Sequence, residues 1–340
     1  GEALRIGGQA IASVRPNMEV LTSREAVGVV GLITPWNFPI AIPAWKTAPA
    51  LACGNAVVLK PSELTPGCAW ALAEIISRSG LPKGVFNLVM GDGVAGKTLV
   101  EHRAVDAISF TGSTQTGKLI AQHCALNLKK YQLEMGGKNP LVILDDADLS
   151  VAVECAVNGA FYSTGQRCTA SSRTIVTEHI YDSFRDAMLK RTQALKVGAA
   201  VESTTQIGPV VDQRQLDKNL HYIQIGKDEG GALLTGGERL AGSGYFFSPA
   251  IIENHNPQAR LNQEEVFGPV STLVKVKNFE EAMTVANATP YGLSGGICTT
   301  SLKYASQFRR EMQAGMVMVN APTAGVDYHV PFGGTKASSF

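Results

Sequence analysis

Six cysteines punctuate the chain, and one of them stands where a thiol could do chemistry. Cys168 lies in the polar, glycine-led run Gly165-Gln166-Arg167-Cys168-Thr169-Ala170, just beyond a predicted helix, with Arg167 beside it to favour a thiolate. Cys53, Cys124 and Cys155 fall in helical patterns and Cys298 ends a predicted strand, places where an unbridged cysteine is normally a small buried hydrophobe. Cys68 is expected to be packed as well, and an exposed structural cysteine is the competing reading of Cys168 from its surroundings alone. None of the histidines (His102, His123, His179, His221, His255, His329) falls in HxH, HExxH or a Cys/His ligand spacing, so no metal site is expected. A cysteine hydrolase stays open, because nucleophile and base need only meet in space. A second candidate is Gly91-Asp92-Gly93-Val94-Ala95-Gly96, which follows a predicted strand and opens a helix, the context in which glycines let a pyrophosphate approach a helix N-terminus. A tight turn with packing glycines fits that run equally well, and no acidic residue ends a strand at the usual distance beyond it.

The elements that must hold these residues read as alternating β-branched runs and helix-periodic segments, the pattern of parallel sheets with crossover helices. Strands are expected near Val27–Ile33, Ala56–Leu59, Val85–Val89 and Ala107–Phe110, each followed by a helical pattern. Thr65 before Pro66 reads as a capping residue ahead of proline at the first helical position, and Gly80 as a helix stop. After Glu134-Met135-Gly136-Gly137 a second series begins, with strands near Leu141–Leu144, Thr174–Thr177, Val270–Val276 and Met316–Val319 and helices near Leu149–Tyr162 and Ile180–Leu195. The expected organisation is therefore two α/β lobes, 1–136 and 137–340, with a strand pair over Ala10–Ala26 outside both series, fit to pair with another subunit.

Composition narrows the class. The 340 residues are 45% hydrophobic and 17% charged, enough to bury a large core, and 30 Lys+Arg against 29 Asp+Glu give a formal charge of +1. That balance supplies no reason for a nucleic acid or an anionic membrane as partner; a small ligand fits better. The most apolar stretch, Ala26 to Ala52, is broken by Pro35, Asn37, Pro39, Pro43, Lys46 and Pro49 and cannot cross a membrane as a helix. Cysteines without CxxC pairs and no signal-peptide pattern point to a soluble protein in a reduced, cytoplasmic setting.

Seven strings then occur in the order and rough spacing of the aldehyde dehydrogenase superfamily: Pro35-Trp36-Asn37-Phe38-Pro39, Lys60-Pro61-Ser62-Glu63, Phe110-Thr111-Gly112-Ser113, Leu133-Glu134-Met135-Gly136-Gly137-Lys138, Gly165-Gln166-Arg167-Cys168, Glu264-Glu265-Val266-Phe267-Gly268-Pro269 and Pro331-Phe332-Gly333-Gly334. The chain resembles that family over essentially its whole length, and the wording around Cys168 and in Thr323–Gly334 is most similar to its α-ketoglutarate semialdehyde (2,5-dioxopentanoate) dehydrogenases. The resemblance implies an α/β fold with a Rossmann-type cofactor lobe over 1–136, a protruding oligomerisation arm over 8–26, and an α/β catalytic lobe over 137–340. Family members carry more sequence before the arm and beyond Phe340, so the chain is expected to be partial at both ends.

The same resemblance implies roles. Cys168 attacks an aldehyde carbonyl; the Asn37 amide and the Cys168 backbone N–H form the oxyanion hole; Glu134 is the general base against the thioester; Lys46 belongs to a proton relay near it. Trp36, Lys60, Ser62, Glu63, Gly112 and Ser113 fall on the adenosine and pyrophosphate side of NAD or NADP, and Gly136, Glu265 and Phe267 on the nicotinamide side. The substrate pocket is expected to draw on Phe38, Trp45, Arg167, Thr169 and Phe332. The implied reaction is NAD(P)-dependent oxidation of a small aldehyde, 2,5-dioxopentanoate foremost, by a homodimer or tetramer without a metal. Trp45 stands where succinate-semialdehyde relatives place an arginine, so a substrate carboxylate needs another partner, for which Arg167 is a candidate. Another small-aldehyde dehydrogenase, a cysteine hydrolase or acyltransferase, and an inactive nucleotide-binding fragment are the alternatives.

Overall fold

The computed structural model describes residues 6–325, 327 and 329–340. Contacts divide the chain into two compact units, the first ending at Met135 and the second beginning at Gly136. No helix among the described residues is long and apolar enough to cross a membrane.

The first unit opens with an antiparallel hairpin, β1 (Ala10–Ala12) and β2 (Glu19–Leu21), which pairs Ala10 with Leu21 and leaves Ile11, Val14, Met18, Val20 and Leu21 exposed. There follow β3 (Val29–Ile33), α1 (Ala41–Ala52), β4 (Ala56–Lys60), α2 (Pro66–Ser77), β5 (Phe86–Leu88), α3 (Gly93–Glu101), β6 (Ala107–Thr111), α4 (Thr114–Leu126) and β7 (Lys130–Glu134). The strands form one parallel sheet in the order β5-β4-β3-β6-β7. Period-two alternation gives that sheet two apolar faces. Ile108, Phe110 and Leu133 pack with Ile120 and Cys124 of α4, while Val30, Leu32, Val57 and Leu59 pack on the other side. On that second side β6 offers Ser109 and β7 offers Gln132, directly paired in register, so the apolar face turns polar at its β6–β7 edge. Two expected details change. Pro66 does start α2, but Thr65 makes no side-chain capping bond, its backbone (φ −137°, ψ 51°) lying outside the usual capping conformation. Cys53 is the half-buried residue just after α1, and Cys68 is only half-buried.

The second unit runs β8 (Asn139–Ile143), α5 (Leu149–Phe161), β9 (Ser171–Thr177), α6 (Glu178–Gln193), α7 (Gln213–Asp228), β10 (Ala232–Thr235), β11 (Ala250–Glu253), α8 (Arg260–Gln263), β12 (Val270–Val276), α9 (Phe279–Asn287), β13 (Tyr291–Gly292), β14 (Ser294–Cys298), α10 (Leu302–Glu311), β15 (Met316–Val319) and β16 (Thr335–Lys336). Its seven-stranded sheet has the order β10-β11-β12-β9-β8-β14-β15, parallel except for β10, and β13 pairs with β16 in a separate ribbon. α5 and α6 cover one face through Phe161, Tyr181, Phe184 and Met188, and α9 and α10 the other through Phe279, Met283 and Phe308.

Pro140 sits in the central strand β8, where a missing N–H should break a ladder. A β-bulge absorbs it: Asn139 pairs with Ser171 and Pro140 with Arg173, so Ser172 has no partner of its own on β8. Arg173 is wholly buried, and its guanidinium donates to Lys138 O (3.1 Å), Val285 O (2.9 Å) and Ala286 O (2.9 Å), the last two at the C-terminal end of α9.

Candidate active site

In the first unit the Pro35–Pro39 run forms the bends between β3 and α1, with Asn37 half-buried and Phe38 and Trp45 exposed. Lys46, one residue beyond Trp45 on α1, reaches the polar edge of the sheet. Its ammonium donates to Ser109 Oγ (2.7 Å), Gln132 Oε1 (3.0 Å) and Phe110 O (3.4 Å). Gln132 in turn donates from Nε2 to Glu134 Oε1 at 2.8 Å. Residues two apart on a strand share a face, so Gln132 links Lys46 to the carboxylate that ends β7. Burial brings the Lys46 ammonium down to about 8, against the upward pull of the Glu134 carboxylate. Ser109 and Gln132 are participants the sequence reading passed over; the available signal was a polar pair two apart, Gln132 and Glu134, sharing one face of a strand whose other face carries the buried Leu133.

Elsewhere in this unit Lys60, buried at the end of β4, holds the exposed Glu63 carboxylate at 3.6 Å. Ser62 is buried and its Oγ accepts from the Leu64 N–H (3.2 Å). Gly112 follows β6 and donates to Glu134 O (3.0 Å), and Ser113 is the N-cap of α4, accepting from the Thr116 N–H. Trp36 is half-buried beside Asn37. The Gly91–Gly96 run opens α3 as expected, but the Asp92 carboxylate caps that helix by accepting from Val94 N (2.9 Å). The Asp92 carboxylate thus satisfies the Val94 N–H, one of the orphan donors of this terminus, from within the run itself.

In the second unit Cys168 lies half-buried on the turn between α5 and β9. The chain reaches it through three consecutive left-handed residues, Ser163 (φ 54°), Thr164 (φ 58°) and Gly165 (φ 63°). Only glycine fits the third, since a Cβ there would lie 2.3 Å from Gly268 O. The Arg167 guanidinium does not point outward: Nη2 donates to Asn158 O and Gly159 O (3.2 Å), carbonyls of the last turn of α5. Burial lowers its pKa to about 10, opposed by Cys168. One nitrogen of this arginine is spent on a helix end, which offers no support for the expected role toward a substrate carboxylate. Thr169 is buried and Phe332 half-buried.

Glu265 belongs to the loop between α8 and β12. Its Oε1 accepts from the Gly137 N–H at 3.0 Å, and a Cβ on Gly136 would come within 2.2 Å of the carboxylate, so the two glycines form a cradle that a side chain would fill. Burial raises the Glu265 carboxyl, countered by the Gly137 N–H and by Lys218 and Lys138. Lys138, itself buried, falls to about 7, through desolvation and the nearby Arg173 charge. The rest of the loop is fixed by one face of α7: Gln215 Nε2 donates to Val266 O (3.1 Å), Asn219 packs against Gly268, and the Tyr222 hydroxyl donates to Glu264 (2.6 Å). Arg260 also binds Glu264 through two hydrogen bonds of 3.0 Å. Phe267 is thereby held at φ 62°. Among the described residues no group of three or more His, Cys, Asp or Glu is placed to hold a metal.

The model of the aldehyde dehydrogenase family matches residues 1–340. The chain is 46% identical to alpha-ketoglutaric semialdehyde dehydrogenase of Bacillus subtilis, over 100% of this chain and 70% of that protein. It is 44% identical to 2,5-dioxopentanoate dehydrogenase of Saccharolobus solfataricus, over 99% of this chain and 71% of the relative. Among solved structures, betaine aldehyde dehydrogenase from Staphylococcus aureus in complex with NAD+ superposes with a TM-score of 0.96 at 38% identity, covering 99% of this chain and 68% of that one.

Proposed function

The chain belongs to the aldehyde dehydrogenase family, and from that premise we propose that it oxidises 2,5-dioxopentanoate to the dicarboxylic acid with NAD or NADP, through a thioester on Cys168. The observation that carries the hydrolytic form of the reaction is the hydrogen-bonded line Lys46–Gln132–Glu134. A carboxylate oriented by an amide at the end of a strand is equipped to take a proton from water, the step that separates acid release from acyl transfer to another thiol.

The donor set fits a dinucleotide. Glu63, held by Lys60, and Glu265, lying over the side-chain-free Gly136, each present a carboxylate suited to vicinal ribose hydroxyls. Trp36 and Ser62 would accompany Glu63 at the adenosine, Gly112 and Ser113 would face the pyrophosphate at the N-terminus of α4, and Phe267 would flank the nicotinamide. When bound, the nicotinamide cofactor supplies the hydride acceptor.

The chain's own residues do the rest. The Cys168 thiolate adds to the aldehyde carbon, and the oxygen's developing charge is taken by the Asn37 amide and the Cys168 backbone N–H. Glu134 then removes a proton from the water that cleaves the thioester, Gln132 keeps the carboxylate aimed, and Lys46, titrating near 8, exchanges the proton onward. Phe38 and Trp45 of the first unit and Thr169 and Phe332 of the second are the residues this reading assigns to the aldehyde by family resemblance. In this reading residues 1–136 bind the cofactor, 137–340 carry the nucleophile, and the apolar β1–β2 hairpin meets another copy of the chain.

The test is an absorbance assay at the reduced-nicotinamide band with 2,5-dioxopentanoate, succinate semialdehyde and betaine aldehyde, each with NAD and with NADP. The expected result is a kcat/KM for 2,5-dioxopentanoate at least about tenfold above the others, roughly 1.4 kcal/mol of transition-state preference, with no turnover by Cys168→Ser. Ester or amide hydrolysis without reduced nucleotide would assign the thiol to a hydrolase instead.

A further inference from the structure

We propose that Asn139 is a positioning residue for the nucleophile, a role that rests on the thioester chemistry assigned to Cys168. Asn139 is buried at the first position of β8. Both protons of its amide are used: Nδ2 donates to Cys168 O (2.7 Å) and Ala170 O (2.9 Å). Its Oδ1 accepts from the Ser294 N–H (3.1 Å) at the start of β14. Two donors and one acceptor, all facing backbone, admit one orientation of the amide.

The geometry decides what this clamp does. The direction of the Cys168 thiol and N–H depends on the two peptide planes that flank its Cα. One plane is fixed by the turn bond from Ala170 N to Arg167 O (3.0 Å). The other ends in Cys168 O, and Asn139 holds it. The carbonyls of Thr169 and Ser171 are tied by other residues, Thr169 O by Thr323 Oγ1 (2.7 Å) and Ser171 O by Ser271 Oγ (3.3 Å), while Asn139 holds those of Cys168 and Ala170. The local backbone makes room for the side chain: Gly137 has no Cβ where one would lie 2.6 Å from Asn139 Oδ1 and 2.8 Å from Cys168 O, and the pairing of β8 with β9 shifts register at Asn139/Pro140. A purely structural asparagine would need only to satisfy buried carbonyls. This one also sets the aim of a nucleophile and of its oxyanion donor, for which tolerances are about 0.5 Å and 10–20°.

The experiment compares native enzyme with Asn139→Ala, Asn139→Ser and a control, Asn320→Ala. Asn320 also makes two bonds to backbone, with Thr299 N and O (2.9 Å each), but beyond the C-terminal ends of β14 and β15, the opposite end of the sheet from Asn139. The readouts are the single-turnover burst of reduced nucleotide at saturating cofactor, the KM for aldehyde, the cofactor Kd, Cys168 adduct formation by intact mass, and Tm. Asn139→Ala and Asn139→Ser are expected to slow the burst about 10–100-fold, with KM and Kd within about twofold, while Asn320→Ala lowers Tm and keeps the native burst. If Asn139→Ala does not fold, Asn139→Ser, which keeps one donor, decides. A native-speed burst in the folded Asn139 variants, or an equal slowing by Asn320→Ala, overturns the positioning role alone. A native enzyme with no burst and no Cys168 adduct overturns the thioester reading, and this inference with it.

Discussion

Replacing Lys46 by methionine should stabilise the protein at pH 7 and remove that gain as the pH rises. Lys46 is charged at neutral pH although burial has brought it from 10.5 to about 8, which corresponds to about 3 kcal/mol of destabilisation carried by the native fold at pH 7. Methionine keeps the length of the side chain without the charge and forfeits the bonds to Ser109 and Gln132, about 1–2 kcal/mol net, since those two groups still hold each other at 2.7 Å. The variant is therefore expected to be more stable by about 1–2 kcal/mol at pH 7. Between about 8 and 10.5 the unfolded chain binds the proton more tightly than the folded one, so the native protein gains stability with rising pH in that window. Methionine has no such dependence, and native minus variant stability should rise by about 2.5 kcal/mol from pH 7 to pH 10. Urea unfolding of both proteins at pH 7, 8, 9 and 10 gives that difference directly, with other titrating groups cancelling. A difference flat to within about 0.5 kcal/mol would refute the buried-charge argument, and full dehydrogenase activity in the variant would remove Lys46 from the proton relay.

Further expectations concern the other groups. Glu134→Gln should still release one equivalent of reduced nucleotide per site before stalling, with steady-state turnover down about 10²–10⁴-fold and the acyl adduct accumulating on Cys168 by mass spectrometry; no burst in a folded variant would break the hydrolytic assignment. Glu63 should favour NAD, because its carboxylate repels a 2′-phosphate, so Glu63→Gln should move the NADP/NAD ratio of kcat/KM upward about tenfold. A native enzyme already preferring NADP by more than about tenfold would show that Lys60 wins instead. Arg173→Leu should cost about 3–5 kcal/mol by orphaning Lys138, Val285 and Ala286 carbonyls in the core, and an unfolding free energy within about 1 kcal/mol of native would refute that role.

What could be read without coordinates was local. Strands such as Val29–Ile33 and Val270–Val276 announce themselves by apolar β-branched runs, and the glycine-led turn at Cys168 by composition. The strand pair within Ala10–Ala26 was legible as apolar residues, Val14, Met18, Val20 and Leu21, set among polar ones outside both βα series. Assignments that turned on a single backbone angle or on where one side chain points were not. Whether Thr65 caps depends on its own backbone angles, and how the Gly91–Gly96 terminus is capped depends on where the Asp92 carboxylate turns. The direction of Arg167 is set by open carbonyls on α5, and the part played by Gln132 by the ammonium that α1 delivers to it. The bulge that places Asn139 under Cys168 is a matter of register between β8 and β9, which no run of residue types encodes.

The strand order of the second unit also has a consequence in time. β8 and β9 pair with each other, yet the outer neighbour of β9 is β12 and that of β8 is β14. A ribosome adding about 5–20 residues per second delivers Val270 roughly 5–20 s after Thr177. Through that interval α5 and α6 can cover one face of the nascent pair, but both strand edges stay open until β12 and β14 are made. Yield during synthesis should then depend on elongation speed over 178–269 and on chaperones that shield strand edges, even where the finished protein is stable.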